Sequence, residues 1–228
     1  MAATVVAICS CASVTSPVGG RLVASPDVPD SVNQWLSDQS KIIGYYTAVS
    51  IDKNYRDTVE FPDWAAKRVY NAIAILWSSK SLERDSVFKV YAIRERGLTD
   101  FRTVILCDVA DSLYIDILNQ YHFYVDARWS MQYDATTLCN TGAVANKINQ
   151  RMLPWRPNCA APNVLGGGGD HITASFESDA VVLGFRVGYA DCPMGCMFHR
   201  TWSFRVFDDG TVKFLGVSGN APPPPNER

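Results

Sequence analysis

The sequence lacks the features that mark two common functional classes. Its 21 Lys and Arg residues are scattered, and the formal net charge is −2. Nucleic-acid binding usually needs a basic stripe that releases counterions from phosphates, so no nucleic-acid partner is expected. No run approaches the roughly 20 apolar residues of a membrane-spanning helix, so no membrane span is expected either.

The chain also lacks the motifs that carry catalytic or cofactor chemistry. No phosphate-binding loop, metal-ligand spacing or nucleophile motif is present. Three histidines, His122, His171 and His199, do not form a recognisable ligand set. We therefore expect no catalytic residue, no metal and no cofactor, which favours a non-catalytic binding or structural domain. The alternatives are an exported hydrolase with an unrecognised polar site, and a protease-inhibitor or prodomain-like module.

What is present at the N-terminus is typical of an export leader followed by a tether. The apolar run Val5–Ile8 precedes small residues, and Ser, Pro, Gly and Val dominate up to residue 30. Ile8-Cys9-Ser10-Cys11 loosely resembles a bacterial lipobox, in which Cys11 would carry a lipid anchor. We expect a secreted or cell-envelope-anchored bacterial protein. The alternative is an apolar N-terminal tail on a cytosolic protein.

Composition divides the chain into three segments. We assign residues 1–30 to the leader remnant and tether, and 31–219 to a single α+β domain. Residues 220–228 form a tail whose consecutive prolines exclude it from helices and sheets. Two lobes, at about 31–135 and 136–219, are the alternative to a single domain.

Hydrophobic periodicity predicts a mixture of helices and strands. Helices are expected from Pro62-Asp63 onward, after Asp111, and from about Thr141 to Leu153. Strands are expected at 87–93, 103–109 and 122–133.

From residue 172 onward the pattern indicates an antiparallel sheet. Residues alternate between apolar and polar or small in 181–189 and 198–206, and Asp208-Asp209-Gly210-Thr211 is typical of a hairpin turn. The predicted fold class is α+β, an antiparallel C-terminal meander with amphipathic helices packed on one face. Those helices should bury most of Phe198, Trp202, Phe204 and Val206.

The most informative segment is Asp191-Cys192-Pro193-Met194-Gly195-Cys196. Pro193 suits the second position of a type I turn, and Gly195 suits the left-handed residue that closes a three-residue hairpin loop. This geometry sets Cys192 opposite Cys196, where a disulfide is feasible. A metal or redox pair is the alternative, but no second cysteine pair lies nearby.

Three other cysteines lie in the folded part. Cys139 and Cys159 flank the third predicted helix, which makes them a second candidate disulfide. Cys107, which follows the apolar run 104–106, would then be left as a buried thiol.

The cysteine hairpin, followed by Trp202-x-Phe204-x-Val206 and Val212-x-Phe214, resembles the end of a group of uncharacterised bacterial secreted proteins and lipoproteins. The likeness covers about the last half of the chain, and only the hairpin part is specific. Such relatives often carry a cysteine in the last turn, where this chain has Asp209-Gly210. The resemblance implies export and an α+β fold, and it implies no activity.

Two segments are predicted to form the rim of a binding surface. The glycine run 166–169 leads into a strand, with no Lys-Ser/Thr after it, so a flexible loop is favoured over a phosphate cradle. A rigid hairpin beside an adaptable loop is a common arrangement for recognition. The candidate binding residues are Gly167, Gly168, Asp170, His171, Asp191, Met194 and His199.

Aromatic residues point to the same kind of function. Tyr and Trp on a surface provide a large contact area at low entropy cost, which suits an extracellular protein or a glycan as partner. The alternative is that most of them belong to the core. The residues concerned are Tyr45, Tyr46, Tyr121, Tyr124, Trp129, Tyr133, Trp155 and Tyr189.

Overall fold

The structure is a computed structural model that describes residues 30–91, 103–106, 112–125, 132–136, 138–152, 159–162, 171–189 and 197–220. The helices in these ranges are α1 (Asp30–Ile51), α2 (Asp63–Ser78), α3 (Leu82–Tyr91), α4 (Ser112–Gln120) and α5 (Thr141–Met152). The strands are β1 (Thr103–Leu106), β2 (Phe123–Val125), β3 (Gln132–Ala135), β4 (Ala160–Pro162), β5 (His171–Phe176), β6 (Ala180–Tyr189), β7 (Phe198–Phe207) and β8 (Val212–Gly219). A 3-10 turn, Lys53–Asp57, joins α1 to α2.

These strands form two four-stranded antiparallel sheets. The first sheet has the strand order β2-β3-β1-β4 and the second has β5-β6-β7-β8. The second sheet follows the order of the chain, so it is a meander. The predicted α+β class with a C-terminal antiparallel meander is therefore confirmed.

One face of the second sheet is apolar and packs against α1 and α2. The alternating residues of β6 on this inner face are all buried: Val181, Leu183, Phe185 and Val187. Trp202, Phe204 and Val206 of β7 belong to the same cluster as the apolar side of α2. Burial of the β7 residues under an amphipathic helix is thus confirmed for these three, whereas Phe198 is 45% exposed.

Close contact between α1 and α2 depends on Gly44. A Cβ atom at this position would lie 2.6 Å from the backbone nitrogen of Ala66, so a larger residue would force the helices apart. On the next turn of α1, the Thr47 hydroxyl lies 3.2 Å from the carbonyl oxygen of Ala174 on β5. Helix α1 therefore also covers the β5 edge of the second sheet.

The predicted turn between β7 and β8 is also confirmed. Gly210 has a φ of 90°, which favours glycine, and its N–H donates to the carbonyl of Phe207 at 3.0 Å. The Asp209 carboxylate accepts a hydrogen bond of 2.8 Å from the Thr211 N–H, and this bond lowers the pKa of Asp209. The acidic pair in this turn is thus used for chain reversal.

The first sheet packs against α4 and α5 around a second cluster. Its largest buried members are Leu106, Leu118, Phe123, Tyr133 and Ile148. The third predicted helix is confirmed as α5, and Asn140 caps it by accepting a hydrogen bond of 3.2 Å from the Ala143 N–H.

The predicted strand at 87–93 is wrong over its described part, because residues 82–91 form helix α3. The Ser81 hydroxyl accepts a hydrogen bond of 3.1 Å from the Arg84 N–H, and Glu83 and Asp85 lie in the first turn. A capping hydroxyl and acidic residues at a helix start stabilise the helix. Here they outweigh the strand-like alternation of the residues that follow.

The predicted strand at 122–133 is likewise corrected. Its described ends form two separate strands, β2 and β3, which pair antiparallel with Phe123 opposite Ala135. His122 is not the first residue of a strand. It lies in a left-handed conformation, with φ of 57°, and its N–H donates to the carbonyl of Asn119 at 3.1 Å, so it ends α4.

Candidate functional site

Both predicted binding segments connect to the same end of the second sheet, which we call the hairpin end. The chain enters β5 at His171, directly after the glycine segment, and the cysteine segment separates Tyr189 of β6 from Phe198 of β7. The register pairs His171 with Arg186 and Tyr189 with Phe198. The strand ends that carry the two segments are therefore neighbours, as the predicted rim requires.

Most residues of the predicted rim fall outside the described ranges. These are Gly167, Gly168, Asp170, Asp191, Met194, and the predicted disulfide partners Cys192 and Cys196. The hairpin, its disulfide and the contribution of the glycine loop thus stay predictions. The described members of the predicted set are His171 and His199.

His171 and His199 share the outer face of the second sheet, opposite the helices. His171 is exposed. His199 is half-buried and pairs with Gly188, and it lies two residues along β7 from the residue that pairs with Arg186. The Nδ1 atom of His199 is buried and has no hydrogen-bond partner among the described residues. The backbone of His199 is bonded to Asn220 on both sides, at 2.7 Å through its carbonyl and 3.4 Å through its N–H.

The hairpin end also exposes apolar side chains, which we call the apolar rim. Met197 is 67% exposed, Phe198 is 45% exposed and Val217 is 44% exposed. The β7–β8 register pairs Val217 with Trp202, so Val217 and Phe198 lie on the inner face, where the helices no longer cover it. Arg200 lies between Phe198 and Trp202 on the same face of β7, and its guanidinium is 5.1 Å from the ring of Trp202.

A group of aromatic side chains, the Trp64 cluster, lies at the other end of β5. The ring of Trp64 is 6.2 Å from that of Tyr55 and 5.6 Å from that of Phe176. The indole Nε1–H of Trp64 donates to the Tyr55 hydroxyl at 3.3 Å, and Trp64 is 43% exposed. Beneath it, the Arg68 guanidinium lies 5.1 Å from the Phe176 ring and donates to the Glu177 carbonyl at 2.7 Å.

The aromatic residues selected from the sequence divide between surface and core. Tyr46 and Tyr124 are exposed, Tyr121 is half-buried, and Tyr45 and Tyr133 are buried. The side chain of Tyr189, and the residues Trp129 and Trp155, fall outside the described part. Sequence reasoning missed the Trp64 cluster, because Phe176 meets Trp64 only through the packing of α2 on the second sheet.

The predicted pairing of Cys139 with Cys159 is wrong. Cys139 is a buried free thiol, and burial raises its pKa to about 12. Asn149 of α5 exchanges two hydrogen bonds of 2.8 Å with the backbone of Ala160, which holds Cys159 beside this part of the helix. Since Asn149 lies about 12 Å along α5 from Thr141, the helix separates the two sulfurs.

Cys159 is disulfide-bonded. Strands β1 and β4 pair antiparallel, with Val104 opposite Pro162 and Leu106 opposite Ala160. Cys107 directly follows Leu106 in the sequence and lies outside the described residues. Since Ala160 lies opposite Leu106, Cys107 is the partner that we expect for Cys159, in place of the unpaired thiol expected from the sequence.

Other predictions concern regions that the structure does not describe. The leader, the proposed anchor at Cys11 and most of the proline tail fall outside the described ranges. In the described ranges, no helix has the length and hydrophobicity needed to span a membrane. No group of three or more His, Cys, Asp or Glu side chains is placed to hold a metal ion in the same ranges.

An open surface depression of about 290 Å³ lies away from both candidate regions. It is lined by Lys80, Ser81, Leu82, Arg84 and Asp85, at the junction of α2 and α3. None of these residues belongs to the predicted rim or to the Trp64 cluster.

Comparison with known proteins gives no further assignment. No family model matches the chain, and no curated protein and no solved structure matches it. The resemblance of the cysteine hairpin to bacterial secreted proteins is therefore an expectation from the sequence alone.

Proposed function

We propose that the chain is a non-catalytic binding domain that is exported from a bacterial cell and recognises an extracellular protein through the hairpin end of its second sheet. The observation that carries this proposal is the apolar rim, three exposed apolar side chains where both predicted binding segments connect. Export is supported by the composition of residues 1–30 and by the resemblance of the cysteine hairpin to secreted proteins. A lipid anchor at Cys11 would hold the domain at the cell envelope.

The apolar rim favours a protein partner. Exposed apolar side chains that lie near one another commonly mark an interaction site, and full burial of a Val, Met or Phe side chain is worth about 1.5–3 kcal/mol. Met197 and Phe198, which are adjacent in the chain, would form the centre of the cluster that usually provides most of the binding energy at a protein interface, and Val217, opposite Trp202, would lie at its border. Arg200 and His199, the residues that follow Phe198, would supply polar contacts at its border.

The scaffold behind the rim is well suited to present it. Strands β6 and β7 are paired from Ala180–Phe207 to Tyr189–Phe198, and the backbone of His199 is joined to Asn220 at the end of β8. A partner would therefore bind a surface that is already ordered, which reduces the entropic cost of association. The glycine segment beside it would adapt to the partner.

A binding screen with a loop-deletion variant tests this proposal. The purified domain is screened against fibronectin, collagen, laminin and peptidoglycan, with and without residues 166–169. We expect saturable binding to a protein and at least tenfold weaker binding by the variant, whose folding is checked by circular dichroism. Equal binding by the two proteins would exclude the glycine segment from the site.

A further inference from the structure

The exposed indole ring of Trp64 is held in a fixed orientation by its neighbours in the Trp64 cluster. Tyr55 fixes the polar edge of the indole through the 3.3 Å hydrogen bond, and Phe176 packs against the ring at 5.6 Å. Phe176 is itself held by Arg68, which bonds to the backbone of the β5–β6 turn. An exposed ring that is already ordered loses little entropy when it binds a ligand.

The surface around Trp64 is polar, unlike that of the apolar rim. Lys53, Asn54, Arg56 and Asp57 of the adjacent 3-10 turn are exposed, and so is Lys67, one turn along α2 from Trp64. The Tyr55 hydroxyl accepts the indole hydrogen bond and retains its own proton for donation. The cluster is thus an aromatic face with hydrogen-bonding groups at its border.

We propose that the Trp64 cluster is a carbohydrate site that takes one hexopyranose ring of a glycan. A hexopyranose has an apolar face of C–H groups and a border of hydroxyls, which matches an exposed indole surrounded by donors and acceptors. In this arrangement the sugar stacks on Trp64 and one hydroxyl accepts a hydrogen bond from Tyr55. A protein partner would need a larger apolar area than a single indole offers.

This site is independent of the apolar rim. Phe176 ends β5, whereas His171 begins it at the hairpin end, so the Trp64 cluster and the hairpin end lie about 17 Å apart along this six-residue strand. The sugar site does not rest on the proposed protein-binding function. A variant of one region leaves the other intact, so the two proposals fail separately.

The test follows the indole N–H signals of the isotope-labelled protein during titration with cellotetraose, chitotetraose and maltotetraose. The Trp64 signal is identified as the one that disappears in Trp64→Phe. We expect this signal to shift saturably with at least one of the three sugars. We expect Tyr55→Phe to bind that sugar at least threefold more weakly, and Tyr46→Phe, which changes an exposed tyrosine outside the cluster, to bind it as the wild type does.

Two results would overturn the proposal. One is a Trp64 signal that does not move with any of these sugars up to roughly 10 mM, a concentration that detects even millimolar affinity. The other is a sugar-dependent shift that persists with the same affinity in Tyr55→Phe. A protein partner that shifts the Trp64 signal while none of the sugars does would also overturn the proposal. These outcomes are read from the titration of the wild-type protein, so they do not depend on the folding of a variant.

Discussion

The side-chain amide of Asn140 donates a hydrogen bond of 3.0 Å to the hydroxyl of Tyr45, across 95 positions of sequence. The same nitrogen lies 2.9 Å from the carbonyl oxygens of Arg56 and Thr58. The side-chain oxygen of Asn140 caps α5. Burial, as the largest influence, raises the pKa of Tyr45, which keeps the hydroxyl protonated. One buried side chain thus joins α1 and the 3-10 turn to the helix that supports the first sheet.

Replacing Asn140 with Ala should lower the free energy of unfolding by about 2–4 kcal/mol. Loss of the helix cap accounts for about 1 kcal/mol, and the buried carbonyls left without a donor account for the remainder. Urea unfolding of both proteins measures the difference. Asn146→Ala, on the exposed side of α5, is the matched control and should change stability by no more than about 0.5 kcal/mol. Equal effects of the two substitutions would contradict the joining role of Asn140.

Trp202 and Phe198 offer a second matched pair on one face of β7. Trp202 is buried against α2, so Trp202→Ala should cost about 3–5 kcal/mol of stability. Phe198 is 45% exposed, so Phe198→Ala should cost well under half of that amount. Thermal unfolding of the two variants measures both effects. A larger loss for Phe198→Ala would mean that the apolar rim is part of the core.

The buried thiol of Cys139 should make stability fall at high pH. Its pKa is about 12 in the folded protein against an ordinary value of 9.0, so the folded state holds the proton more tightly. The contribution is complete below pH 9 and is lost as the pH rises toward 12, at about 1.4 kcal/mol per pH unit. The difference in unfolding free energy between the wild type and Cys139→Ala should fall by about 1.4 kcal/mol in total between pH 8 and pH 10, and more steeply above pH 10. A pH-independent difference would contradict it.

Peptide mapping without reduction should find Cys159 linked to Cys107. The expectation follows from the β1–β4 register, which is fixed by Leu106 opposite Ala160. A peptide that joins Cys139 to Cys159 would refute this assignment.

At pH 8 the native Cys139 should react slowly with iodoacetamide, because only about one thiol in ten thousand is ionised at a pKa of 12.

The sequence predicted the second sheet well because its strands alternate strictly between apolar and polar or small residues. It missed α1, in which the hydroxyls of Ser40, Thr47 and Ser50 donate to carbonyls of the helix itself. It assigned residues of α3 to a strand because the decisive signal, the Ser81 cap, lay within a run of polar residues that was read as the end of α2. In α3 a local hydrogen bond at the helix start therefore outweighed the hydrophobic pattern.

The candidate sites were predictable to different degrees. His171 and His199 were placed on one end of a sheet by strand order alone, since each follows or precedes a predicted connection. The apolar rim was not predictable, because Phe198 continues the buried pattern of Trp202 and Phe204 and only the extent of the helices leaves it uncovered. The Trp64 cluster joins residues 55, 64 and 176, which no sequence spacing relates.

The most direct test of the central claim is the dissociation constant of the Met197→Ser/Phe198→Ser double variant for a protein partner found in the screen. The control is Leu82→Ser, which removes a side chain that is 82% exposed on α3, away from the hairpin end. We predict that the double variant binds at least tenfold more weakly than the wild type and that Leu82→Ser binds equally well. Wild-type affinity in a folded double variant would contradict recognition through the hairpin end.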